Sequence, residues 1–176
     1  MHIVIAMVLA LLTVGAPHAA RAADVMVAGQ KLVLKAPPGK PERLVLNAKH
    51  AGIAAPLVGG SDDPTLGGAE LTIVGAGGER ATFALPASHW TRRGQRTVYR
   101  FKNTLAPAAP SEVKVAVLRN GRFSIRANAV GLTLNEATQG AVAVVLTLGP
   151  TRYCAEFGGV VTHDRPGMFQ AKKAAP

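Results

Sequence analysis

The side chains able to do chemistry in this chain are few. Ser61, Ser88, Ser111, Ser124 and Cys154 are the hydroxyl and thiol nucleophiles of note, and His50, His89 and His163 are the bases beyond the leading segment. A nucleophile needs a base within hydrogen-bond reach. No Gly-x-Ser-x-Gly elbow occurs. Ser88-His89 is adjacent only along the chain, whereas a catalytic triad is assembled in space. No spacing ties Cys154 to any of the three histidines. A secreted hydrolase with an unrecognised site is therefore the weakest of three functional readings, and we expect no catalytic residues.

Cofactor and metal motifs are equally sparse. Gly75-Ala76-Gly77-Gly78-Glu79-Arg80 follows a strand pattern, but Arg80 stands where a dinucleotide fingerprint has its third glycine. A strand pattern comes next, so no helix N-terminus would face a phosphate. The stretch predicts a hairpin turn. No His-x3-His or Cys-x2-Cys pair is present, which argues against structural zinc. Asp62 and Asp63 lie in a loop that offers few of the roughly six to eight oxygens calcium takes. That loop predicts an Asx turn ahead of Pro64, with weak calcium binding as the alternative. His163-Asp164 reads as a loop dipeptide. No cofactor or metal is expected.

Binding chemistry has more material. Trp90 is the only tryptophan and sits between His89 and Arg92-Arg93. Exposed, it would stack on a sugar ring; packed, it would anchor the end of the fold. Arg92, Arg93, Arg96, Arg100 and Lys102 form the densest basic stretch. On a strand, Arg100 and Lys102 share one face and Tyr99 and Phe101 the other, the ordinary look of a solvated sheet face. Lys and Arg total 20 against 10 Asp and Glu, a net charge of +10, which favours anionic partners. Because the basic residues are spread along the chain, they also fit plain solubilisation. Trp90, Arg92, Arg93 and Arg100 are the candidate ligand-binding residues. Aromatics interleaved for single-stranded nucleic acid are lacking, so no specific nucleic-acid partner is expected.

The elements that would carry these residues are strands. Apolar residues alternate in Lys31 to Lys35, Glu42 to Ala48, Ala69 to Val74, Arg80 to Leu85 and Thr97 to Lys102, with one or two short strands near Val25 and Val27. Ala87 to Arg93 reads as a loop or a single helical turn, and Leu105 to Pro110 as an Ala/Pro-rich loop. Val113 to Arg119 and Arg122 to Ala127 flank Asn120-Gly121, a strong hairpin signal whose type I′ turn needs positive φ at both positions. Gly140 to Leu148 reads as a central strand covered on both faces. No helical period is sustained. An all-β, antiparallel β-sandwich of about eight or nine strands is expected, immunoglobulin-like or jelly-roll-like. Aromatics are only 5% of the chain, so its core should be aliphatic.

The leading residues predict export. An uncharged apolar run from Ile3 to Leu12, extending to Val14, is broken by Gly15 and Pro17 and followed by Ala20-Arg21-Ala22. That is a secretory signal peptide over residues 1–22, with the mature chain starting at Ala23. The run is shorter than the ~20 residues a membrane-spanning helix needs, and no later segment is long and apolar enough. The sandwich should occupy residues 23–165 and a flexible tail 166–176. The single Cys154 is anomalous in an exported protein: a free thiol, an intermolecular bridge, a missing partner or an inert buried side chain.

The stretch Gly149-Pro-Thr-Arg-Tyr-Cys-Ala-Glu-Phe-Gly-Gly159, with Asp164, Gly167, Phe169 and Ala171-Lys172, resembles the end of a group of exported bacterial β-domains of uncharacterised function. Asp63-Pro64 with Gly67-Gly68, Leu85-Pro86-Ala87 before Trp90, and Tyr99 to Lys102 are similar to the same group. The resemblance implies no activity. It does imply a second cysteine in an Ala/Pro-rich tail, bridging to the position of Cys154 and contributing roughly 3 kcal/mol. Here the sequence stops at Pro176 without one. Such a chain is expected to be non-catalytic, a structural or interaction module of the periplasm or the medium. The alternative is a carbohydrate- or polyanion-binding module at the cell surface.

Overall fold

A computed structural model describes residues 23–94, 97–103 and 113–174. The leader over residues 1–22, Arg96 and the stretch Leu105 to Pro110 lie outside the described residues. Thirteen strands are present: β1 (Ala23–Met26), β2 (Gly29–Lys35), β3 (Arg43–Lys49), β4 (Ala69–Val74), β5 (Arg80–Leu85), β6 (Trp90–Arg93), β7 (Val98–Lys102), β8 (Val113–Arg119), β9 (Arg122–Ala127), β10 (Val142–Leu148), β11 (Thr151–Phe157), β12 (Val160–Arg165) and β13 (Met168–Lys172). One short helix, α1 (Pro64–Gly67), precedes β4. Among the described residues no helix is long and apolar enough to cross a membrane.

The strands form an all-β sandwich of a five-stranded sheet, ordered β1-β11-β10-β4-β5, and an eight-stranded sheet, ordered β12-β13-β2-β3-β9-β8-β7-β6. All pairings are antiparallel except β1 with β11, which is parallel. Alternation sends one residue in two of each strand to the shared core. Leu44, Leu46 and Ala48 of β3 are buried there, as are Phe123 and Ile125 of β9 and Val142, Val144, Leu146 and Leu148 of β10. Aromatics are scarce but none is spent on the surface. Phe83, Phe101, Phe123, Phe157 and Phe169 are all buried, with Tyr99, Tyr153 and Trp90. The core is thus mainly aliphatic, with every Phe, Tyr and Trp buried in it. Close packing fixes Gly29: a Cβ there would collide with the Phe157 ring.

The count exceeds the expected eight or nine by four strands that the sequence reading omits, although one of them, β11, alternates Tyr153, Ala155 and Phe157 inward. The four are β6, β11, β12 and β13. The expectation of a flexible tail from residue 166 is corrected: β13 pairs with β12 on one side and β2 on the other. Phe169 and Ala171 are fully buried, and Ala174 N–H donates to the Gly29 carbonyl at 2.8 Å. β10 is central, as expected, but covered on one face only, with Ala143, Val145 and Thr147 half-buried on the other.

The Asn120-Gly121 hairpin forms, with Arg119 opposite Arg122. Its turn is not type I′, because Gly121 alone takes a positive φ, 74°. Tertiary bonds account for the difference: Gly121 N–H donates to the Ile53 carbonyl at 2.7 Å, and the Gly121 carbonyl accepts from His50 N–H at 3.1 Å. The expected glycine-rich turn between β4 and β5 also forms, closed by Gly75 N–H to the Glu79 carbonyl at 2.8 Å.

Replacing Phe169 with alanine tests the last strand. Loss of a fully buried ring should cost about 3–5 kcal/mol in denaturant unfolding. A frayed tail would lose less than about 0.5 kcal/mol.

Candidate functional site

The outer face of the eight-stranded sheet is the chemically distinctive surface. Residues that alternate with the buried set must point away from the core. On β2 these include Lys31 and Lys35, and on β3 Arg43 and Lys49. β9 supplies Arg122 and Arg126, and β8 supplies Arg119. At one edge β7 adds Arg100 and Lys102, and β6 adds Arg93. At the other edge are Lys172 of β13 and Arg165 of β12. Each of the eight strands therefore contributes a cation. The only carboxylate on these strands is Asp164, which pairs opposite the buried Phe169 on the other face.

The register makes this face unusual. Lys172 stands directly opposite Lys31, Lys35 opposite Arg43, Lys49 opposite Arg122, and Arg122 opposite Arg119. Like charges directly opposite one another destabilise a sheet. The five-stranded sheet differs: its strands carry Asp24, Glu70 and Glu156 against Arg80 and Arg152. Among the described residues the one ion pair, Arg152 with Asp24 at 3.2 Å, lies there. Among the described residues no carboxylate pairs with the cations of the larger sheet.

Most other carboxylates answer backbone N–H groups. Glu42 accepts from Val130 N–H at 2.6 Å, Glu79 from Thr133 N–H at 2.8 Å, and Asp164 from Gln139 and Gly140 N–H at 2.6 and 2.9 Å. These three pin the long connection from β9 to β10. Asp63 is 3% exposed and caps α1. It accepts from Gly59 N–H at 2.8 Å, and from Thr65 N–H and hydroxyl at 2.9 and 2.6 Å. The Asx-turn reading of this loop is the observed one. Burial alone would push the Asp63 carboxyl up. The Thr65 hydroxyl, the Gly59 and Thr65 N–H groups and the adjacent Tyr99 hydroxyl outweigh it and hold the carboxyl below its ordinary range. No group of three or more metal-ligating side chains occurs among the described residues.

The predicted ligand residues separate. Trp90 is 5% exposed, its ring edge-on to Phe101 at 5.4 Å between centroids, and its Nε1–H donates to the Leu85 carbonyl at 3.1 Å. It is the packed anchor, the one of the two sequence readings that fits, and the sugar-stacking alternative does not form. Arg92 follows the inward register of Trp90 and stands opposite Tyr99, away from the basic face. Arg93 and Arg100 do face outward together. They line a cleft of about 320 Å3 with Ser88, His89, Thr91 and Lys102. No hydrogen bond joins the Ser88 and His89 side chains. Two polar atoms of this cleft, Arg100 Nε and His89 Nδ1, are buried with no hydrogen-bond partner.

Cys154 is a free cysteine, half-buried on the outer face of the five-stranded sheet between Met26 and Val145. Burial is the main cause that pushes its thiol up; Asp24 adds to this and Arg152 opposes it. A protonated thiol is a poor nucleophile.

Sequence reasoning found Arg93, Arg100 and Lys102 but missed the rest of the face. The signal was available in part: Arg100 and Lys102 alternate with Tyr99 and Phe101, and Arg122 and Arg126 alternate with Phe123 and Ile125. Comparison with protein-family models, with curated proteins and with solved structures found no match.

The Asp63 carboxylate gives a pH prediction. Its folded pKa lies below the unfolded value of about 3.9, so its contribution is fully present above that value and lost as pH falls through the folded one. Asp63→Ala should cost about 2 kcal/mol at pH 7, because three donors lose their acceptor. The gap between wild-type and variant stabilities should narrow as pH falls through the folded pKa, in acid titrations followed by circular dichroism.

Proposed function

We propose that this protein is a non-catalytic, exported interaction module that binds an anionic polymer across the outer face of its eight-stranded sheet. One observation carries the reading: every strand of that sheet presents a cation, and four pairs of them stand directly opposite each other with no carboxylate between. A sheet that only needed solubility would interleave both signs. A polymer with repeated negative charge relieves the repulsion at several points at once. Sheet spacing suits this, since strands lie about 4.8 Å apart and outward residues recur about every 7 Å along a strand.

The test uses heparin and long-chain polyphosphate as probes. Binding should weaken at least about tenfold between roughly 50 and 200 mM salt, because several counterions are released. Arg122→Glu puts a carboxylate between Lys49 and Arg119. It should weaken binding several-fold while raising stability by about 0.5 kcal/mol. Arg80→Glu makes the same charge change on β5 of the other sheet and should leave affinity within about twofold, since it lies off the binding face. Equal losses in the two variants, or no binding at low salt, would overturn the reading.

Export rests on the leader alone. Sequencing the N-terminus of protein recovered from outside the cytoplasm should give Ala23. Recovery with Met1 intact would refute cleavage.

A further inference from the structure

Within the basic face, the cleft at the β6–β7 edge has features that a general charge patch does not need. Thr91 stands directly opposite Arg100. Arg93 is two residues along β6 and Lys102 two along the antiparallel β7, so the two cations flank that pair from opposite ends, each about 7 Å away. Ser88 and His89, from the 3-10 turn that precedes β6, form the adjoining wall. The positive charge and the hydroxyls thus approach one space from two sides.

The unsatisfied atoms sharpen this. Arg100 Nε and His89 Nδ1 are both buried and both without a partner. Burying a polar group without a hydrogen bond is costly, and most such groups in folded proteins have one. Both belong to residues that line the cleft, set behind its surface. Across the register, the Arg100 carbonyl accepts from the Thr91 hydroxyl at 3.2 Å. This fixes the backbone on which the guanidinium is mounted.

We propose that this cleft is a binding site for a phosphoryl group. The proposal rests on the polyanion reading and specifies one part of that surface. Charge selects the ligand: three cations favour a dianion over a monoanion, and a phosphate monoester at neutral pH carries about −1.5 to −2. A carboxylate or a sulfate ester carries one. Shape agrees, because donors on a floor and a wall suit a tetrahedral group better than a planar carboxylate. The fork of the guanidinium supplies directed N–H groups, where a lysine supplies a point charge. A volume of about 320 Å3 leaves room for the group and the first atoms attached to it.

The full mature chain is titrated with inorganic phosphate, sulfate and acetate at constant ionic strength, and Arg side-chain Nε–H signals are followed by NMR. Saturable movement of the Arg100 Nε–H with phosphate and with inorganic sulfate, itself a tetrahedral dianion, and weaker response to acetate, is expected. Arg100→Lys keeps the charge but removes Nε–H. It should weaken phosphate binding about tenfold while changing heparin affinity less than about twofold. Ser88→Ala, at an exposed position, is the second variant and should weaken phosphate binding a few-fold. Phosphate shifts spread over all the sheet's cations without saturation would overturn the pocket, as would Arg100→Lys binding phosphate like wild type. Heparin binding retained in either case leaves the polyanion reading standing. Loss of heparin binding by the wild-type chain removes that reading and the pocket's role within it.

Discussion

Carboxylates that answer backbone N–H groups organise this molecule. Glu42, Glu79 and Asp164 hold the long connection between β9 and β10, and Asp63 holds the loop before β4. An irregular segment has donors that no ladder partner can satisfy, and burying them unpaired is costly. A carboxylate can accept two or more N–H bonds at once, which makes it an efficient partner for such a segment. The connection can then drop Val130, Leu132 and Leu134 into the core. Tyr99 and Tyr153 extend the same logic, donating to the Pro56 and Ala54 carbonyls of a neighbouring loop.

The charge pattern follows from that allocation. With so few acids, those committed to backbone amides are withdrawn from side-chain pairing. Across the ladders of the eight-stranded sheet, four pairs of cations are left facing one another, with Glu42 near Arg43 and Arg126 but bonded to the Val130 N–H. Segregation is thus a property of the whole architecture. The smaller sheet keeps a near-balanced set of charges, and the larger sheet keeps positive charge from edge to edge.

Period-two alternation made the core strands legible. Val113 to Ala127 announced its hairpin because the apolar residues and the Asn-Gly turn agreed. The turn type was not legible, since Ile53 and His50 bind it from elsewhere in the chain. Strands β12 and β13 were hidden for a different reason. Edge strands such as Val160-Val-Thr-His-Asp-Arg165 bury little and therefore resemble loop. Met168 to Lys172 is too short for its two buried residues to stand out. Of the candidate site, Arg93, Arg100 and Lys102 were recognised because they are close in sequence. Lys31, Lys49, Arg122 and Lys172 were not, because only the strand order makes them neighbours.

The edges of the larger sheet have their own consequence. β6 is four residues long and ends in Arg92-Arg93, and β12 carries a bulge between Val161 and His163 with Arg165 beyond it. An exposed edge is a template on which another chain can add a strand, and short length, charge and bulges all discourage that addition. The two ends of this sheet use these means against self-pairing. The larger sheet can thus present its outer face while resisting growth into fibres with its own copies.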